Sequence, residues 1–223
     1  MPSVNFDDGS ADLSLSWSED STMYPTEHKR VSQLPPGAAT PGTAQTGARH
    51  ELPSNLQLSA DELMSVWGKV GVHLYTASST LYENSKKMLV GDGTYNGFIR
   101  SAMREVPNAL VVDTPADTYG YLVYHQNGAS VQKRASEIMP GDIVFLADAK
   151  FKGHKGLQAY SQHVGTGVGG SVLGIVSEFE PKKSKVKVYQ ANQHVGQQTV
   201  ESVSYRLDDL KTGVFKVFRV LEA

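Results

Sequence analysis

Residues 91–103 read GDGTYNGFIRSAM: two glycines and a threonine ahead of an amphipathic run. Glycine supplies turn conformations that other residues resist, and threonine is a good N-cap, so Thr94 is expected to start a helix. Its buried stripe would be Tyr95, Phe98, Ile99, Ala102 and Met103, which recur at helical spacing. The unpaired N–H groups and the dipole of such a helix start are suited to activating a thiol. The chain contains no cysteine. The stretch therefore has the layout of a nucleophile site without the expected nucleophile.

Upstream, SADELMSVWGKVGVHLY (59–75) reads as a helix. Ser59 and Glu62 have capping-box spacing, and Leu63, Val66, Trp67, Val70 and Leu74 share one face. Gly68 and Gly71 weaken that helix, and close packing against a neighbour is the expected reason for them. A further helical segment, TASSTLYENSKKML (76–89), leads to the glycine turn. After Pro107 the pattern becomes that of strands: ALVVD, YGYLVYHQ, GDIVFLAD, LGIVSEFE, SKVKVYQAN and GVFKVFRVLE. GIVSEFEPKKSKVKVYQ predicts a hairpin in which Pro181 opens the connection, Val186 and Val188 face the core, and Lys185 and Lys187 face water. Helices followed by an antiparallel sheet give an α+β fold. The turn at 91–97 should then open onto a groove lined by strand residues.

Two regions are expected within the 223 residues. Residues 1–58 hold six of the ten prolines and few apolar side chains, and read as a flexible linker or arm. Only Trp17, Met23 and Tyr24 are evident anchors there, and PPGAATP at 35–41 lacks the basic residue of a good SH3 ligand. Residues 59–223 form the folded domain. Net charge is -4 in the first region and +2 in the second, too little to argue for nucleic acid or an anionic membrane. No apolar run reaches the length of a membrane span, and the start lacks the pattern of a secretory signal. The absence of cysteine fits a reducing compartment.

Thr94 is the available hydroxyl nucleophile, but a hydroxyl needs a base beside it, and capping is the simpler role. Tyr95 either fills the groove or donates a hydrogen bond into it. His163, ahead of the glycine-rich GTGVGG, is the candidate imidazole; Asn192 and His194 follow a strand end where an orienting polar group would sit, and His154 is expected in solvent. The three histidines lack the spacing of a metal site, so neither metal nor cofactor is expected. The basic segments KFKGHK and EPKKSKVK have the chemistry to attract an acidic partner or phosphoinositide head groups.

YGYLVYHQNG, ASEIMPGDIVFLADAKFKGHKGLQAY and VSEFEPKKSKVKVYQANQHVGQQTVESVSYRLDDLKTG together resemble the carboxy-terminal domain of fungal actin-patch adaptors of the myosin tail region-interacting kind, over nearly all of 59–223. The resemblance implies a cytoplasmic SH3-containing adaptor at cortical actin patches in endocytosis, with type I myosin and a WASP-type nucleation activator as protein partners. The domain is also similar, more distantly, to the NlpC/P60 and CHAP amidases. That similarity implies a cysteine-peptidase-like α+β fold with helices on a partly barrel-like sheet. It puts Tyr95, or Thr94 if the frame slips, at the cysteine position, His163 or Val172 at the histidine position, and Asn192 at the orienting position. The implied function is a non-catalytic interaction or scaffolding domain. A hydroxyl-nucleophile amidase using Thr94 and His163, and a purely structural terminal domain, are the alternatives.

Overall fold

The computed structural model describes residues 57–111, 119–167, 170–192 and 198–223. The expected arm, with Trp17, Met23 and Tyr24, lies outside them apart from its last two residues, and so does His194.

Helix α1 (Ala60–Val66) starts with the expected capping box: the Glu62 N–H donates to Ser59 Oγ at 3.2 Å, and the Ser59 N–H donates to Glu62 Oε2 at 2.8 Å. A π-turn, Trp67–Gly71, joins it directly to α2 (Val72–Asn84). The two separate helices expected from the sequence are thus one continuous rod, which ends at Asn84 rather than running on to Leu89. The π-turn follows from i→i+5 bonding, which turns the chain less per residue and shifts the phase of everything after it. Leu63 consequently enters one core cluster, whereas Val70 and Leu74 enter another. The two glycines also separate. Gly71 is buried, as expected of a close-packing residue, but Gly68 is exposed with open space where a side chain would go. Gly68→Ala should therefore stabilise the domain by up to about 1 kcal/mol, read as a rise in thermal midpoint.

Helix α3 (Tyr95–Arg104) buries Phe98, Ile99, Ala102 and Met103 as its spacing predicts. Eight strands follow: β1 Tyr121–Asn127, β2 Ser130–Arg134, β3 Ile143–Lys155, β4 Gln158–Val164, β5 Val172–Glu180, β6 Lys185–Ala191, β7 Val200–Arg206 and β8 Leu210–Arg219. They form one antiparallel sheet in the order β2-β1-β8-β3-β5-β6-β7, with β4 off this path and paired to β3. Three of these were not expected from the sequence. Among the described residues β2, β4 and β7 each pair on one side, and their polar sequences SVQKR, QAYSQHV and VESVSYR lack the apolar density of a central strand. Conversely, ALVVD yields only the bridge Ala109↔Glu222, and its last two residues lie outside the described ones.

The sheet curls, so its concave face holds a core of Val123, Val144, Leu146, Phe151, Val188 and Phe215. At the open seam Gln126 on β1 donates from Nε2 to the Leu207 carbonyl, just past β7, at 2.9 Å. The convex face carries a second core, with Ile143, Leu173, Ile175 and Phe218 packed against α2 and α3. The β5–β6 hairpin matches its expected alternation, with Val186 and Val188 buried and Lys185 and Lys187 outward. At its turn Glu180 pairs with Lys183 and with Lys185, the latter at 2.6 Å. Hydrogen bonds from those two lysines hold the Glu180 carboxyl down at about 2. A carboxyl depressed in the folded state stabilises it above the unfolded value near 4.5, and that contribution is lost as pH falls towards 2. Glu180→Gln should flatten the acid limb of the stability curve within this window, and added salt should shrink the difference, as expected of a largely solvated pair.

Candidate functional site

The turn ahead of α3 is built as a cap. Gly91 and Gly93 take φ values of +60° and +80°, which lets the Asp92 side chain fold back over the helix start. There the Thr94 N–H and the Thr94 hydroxyl both donate to Asp92 Oδ1, at 2.9 and 2.6 Å, and the Gly97 N–H donates to Thr94 Oγ1 at 3.0 Å. A Cβ on Gly97 would lie 1.9 Å from Asp92 Oδ1, so the carboxylate requires glycine at this position. The hydrogen bonds from the Thr94 hydroxyl and N–H hold the Asp92 carboxyl below its usual range, which makes it a weaker base. Thr94→Ala removes the cap and should lower stability by about 1 kcal/mol, measurable by urea denaturation.

Tyr95, the first residue of α3, is half-buried and packs against both core clusters. Burial raises its phenol, and the Glu201 carboxylate adds to the effect. Beneath it lies a polar chain that the sequence reading missed. The Tyr205 hydroxyl donates to Gln190 Oε1 at 2.8 Å, and Gln190 Nε2 donates to Glu201 Oε1 at 2.9 Å. Burial above all, then Glu201, pushes the Tyr205 phenol up. The signal for this chain was present: Gln190 falls at the inward phase of Val186 and Val188, where an apolar residue is the norm.

The other expected positions are distributed as follows. Val172 opens β5, is buried in the concave core and pairs with Leu146. Asn192 follows β6, its N–H donating to the Thr199 carbonyl at 2.9 Å. The register that pairs Gly174 with Gln190 carries Val172 towards Asn192, and α3 packs on both β5 and β6. Tyr95, Val172 and Asn192 therefore sit on neighbouring elements. His163 is on β4, exposed, opposite Lys150. His154, on β3, is exposed as expected. The Thr94 hydroxyl directs its proton to Asp92 rather than to an imidazole. Among the described residues no group of three or more His, Asp or Glu side chains converges as a metal site would.

The sequence profile of the "AIM3/BBC1 Cysteine proteinase-fold domain" matches residues 47–223. The chain belongs to the AIM3/BBC1 cysteine proteinase-fold domain family. The match begins upstream of Ser59 and covers every described element. An SH3 domain-containing protein of Schizosaccharomyces pombe is 34% identical over 135 residues, covering 60% of this chain and 8% of that protein. No solved structure matches. The AIM3/BBC1 domain has the α+β plan anticipated above, helices on a curled antiparallel sheet, and in this chain it is non-catalytic as a cysteine peptidase: no cysteine is present to attack a carbonyl.

Proposed function

We propose that this AIM3/BBC1 domain is a protein-interaction or scaffolding module of a cytoplasmic actin-patch adaptor, and that the partner's extended segment is held at the start of α3. The residues proposed to contact it are Thr94, Tyr95 and Asn192, with Val172 as the apolar relic of a catalytic position. Type I myosin and a WASP-type activator are the partners to test first. Family membership supports the adaptor role, as does the SH3 domain in the name of the Schizosaccharomyces pombe relative. The single observation that carries the choice against hydrolysis is the Thr94 hydroxyl, which is engaged as a cap to Asp92 and Gly97 while His163 lies on β4, paired with β3. A hydroxyl without an imidazole acceptor is a poor nucleophile.

Calorimetric titration of the 223-residue chain with each partner tests the reading. Asn192→Ala and Tyr95→Phe should weaken binding at least tenfold with little change in thermal midpoint. Unaltered binding by both variants would reject the site. Binding of neither partner by the parent chain would favour the purely structural role, for which the packing of Tyr95 between two cores is the supporting observation.

A further inference from the structure

The strands of the sheet are unequal in charge. Apart from Arg219, which is buried and paired with Asp142, β1, β2, β3, β4 and β8 carry six lysines and Arg134 against one acidic residue, Asp148, although the whole chain is net -2. The contrast is strongest in the β3–β4 hairpin, where residues 149–165 contain Lys150, Lys152, Lys155, His154 and His163 and no carboxylate. Ala149 and Phe151 point into the concave core, so strand alternation turns Lys150 and Lys152 to the opposite face, and the pairing of Lys150 with His163 places that histidine beside them. The same face continues across the sheet, where His125 is flanked by Lys133 on β2 and Lys216 on β8. Burial above all, and then the neighbouring Lys216, hold the His125 imidazole below its usual value. Helices α2 and α3 lie over β5 and β6 and leave the hairpin uncovered.

Among the described residues no carboxylate is ion-paired with Lys150, Lys152 or Lys155. Lys155 instead lies over the Tyr160 ring, 5.4 Å from its centre, and the nearby Asp209 accepts from the Tyr160 hydroxyl at 2.7 Å. Lys152, His154, Asp209 and Lys211 also border a 670 Å³ hollow beside the hairpin. At the tip, Gly156 and Leu157 make a two-residue turn, and the Leu157 side chain is wholly exposed at 106% of its reference area. An apolar side chain at the end of a projecting basic hairpin serves no packing purpose within the domain. It matches the chemistry of an anionic bilayer, which offers phosphates and carboxylates at its surface and hydrocarbon a few ångströms below.

We propose that the β3–β4 hairpin and the adjoining basic sheet face dock on an anionic lipid surface, with Leu157 entering the acyl boundary, Lys150 and Lys152 of that face meeting the head groups, and Lys155, which strand alternation turns to the opposite face, adding its charge at the tip. The surface is separate from the start of α3, so peptide binding there is not required. An acidic protein segment would satisfy the lysines but gives no role to an isolated exposed leucine, which favours the bilayer.

The test is sedimentation of the 223-residue chain with vesicles of phosphatidylcholine alone and with about one-third phosphatidylserine, the anionic component that supplies the surface potential. The chain should pellet with the anionic vesicles only, and the bound fraction should fall steeply with salt. K152A/K155A should weaken partitioning by about 25-fold, from roughly fivefold per lysine, and Leu157→Asp should weaken it several-fold at unchanged thermal midpoint. Leu157→Trp should give a blue-shifted emission with anionic vesicles. Equal pelleting with neutral vesicles, retained binding by these variants, or binding to polyglutamate but not to vesicles would each overturn the proposal; the last would assign the face to an acidic protein.

Discussion

Replacing Arg219 with methionine should lower the unfolding free energy by about 3–5 kcal/mol. Arg219 and Asp142 are both fully buried and form a two-point ion pair, Nε to Oδ1 at 2.9 Å and Nη2 to Oδ2 at 2.8 Å. The guanidinium also donates to the Leu63 carbonyl at 3.1 Å, Ser136 Oγ at 3.1 Å and the Glu137 carbonyl at 2.9 Å. One side chain on β8 thereby fixes α1 and the 136–142 loop at once. Burial pushes the Asp142 carboxyl up and the Arg219 charge pulls it back, so loss of the arginine leaves the carboxylate with the Met139 N–H as its remaining mapped donor. Converted at 2–4 °C per kcal/mol, the expected loss in thermal midpoint is roughly 10 °C. The double variant D142L/R219M should recover part of this, because it removes the stranded charge, but not all, because the Leu63 and Glu137 carbonyls and the Ser136 hydroxyl lose the hydrogen bonds that Arg219 supplies. An R219M midpoint within about 2 °C of the parent would refute the role assigned to the pair.

Gly141→Ala should be the second severe substitution. Gly141 has φ +92°, and a Cβ there would lie 2.0 Å from the Gly71 carbonyl oxygen and 2.8 Å from its carbon. Both obstructing atoms are main chain, so no side-chain rotation relieves the clash. Overpacking together with the left-handed backbone gives an expected loss of about 3 kcal/mol or more. Trp67 reports on the same contact, since its Nε1 donates to the adjacent Pro140 carbonyl at 2.8 Å. Denaturation followed by Trp67 fluorescence should therefore show both a shifted midpoint and altered native emission. A native spectrum and midpoint equal to the parent's would mean that the helix and the turn separate without loss.

The sequence reading succeeded where one periodicity dominated. The Ser59–Glu62 capping box, the Thr94 cap, the buried stripe of α3 and the β5–β6 hairpin are local patterns that tertiary structure reinforces. It also anticipated close packing at Gly71, where a side chain would meet the Trp67 ring, though not that Gly141 abuts the Gly71 main chain. It could not place Asp142 with Arg219, because 77 residues separate them and neither belongs to a recognisable motif. β2, β4 and β7 escaped because an edge strand buries one face lightly, and polar residues there erase the alternation on which detection depends. At the candidate site, Thr94 and Tyr95 were legible as a helix start, whereas Glu201 under Tyr95 depends on a strand that the pattern did not reveal.

The π-turn at Trp67–Gly71 makes chain length, as well as residue type, part of the specification of this domain. A regular α-helix would line up Leu63, Val70 and Leu74 as a single stripe for a single partner surface. The slip in phase lets one rod serve two surfaces, the concave core through Leu63 and the convex core through Leu74. Deleting one residue within the slip would restore regular winding and rotate Leu63, with the carbonyl that Arg219 holds, out of place. In the evolution of this helix, an insertion or deletion is therefore a different event from a substitution: every residue type can stay acceptable while the fold loses the alignment of its two halves.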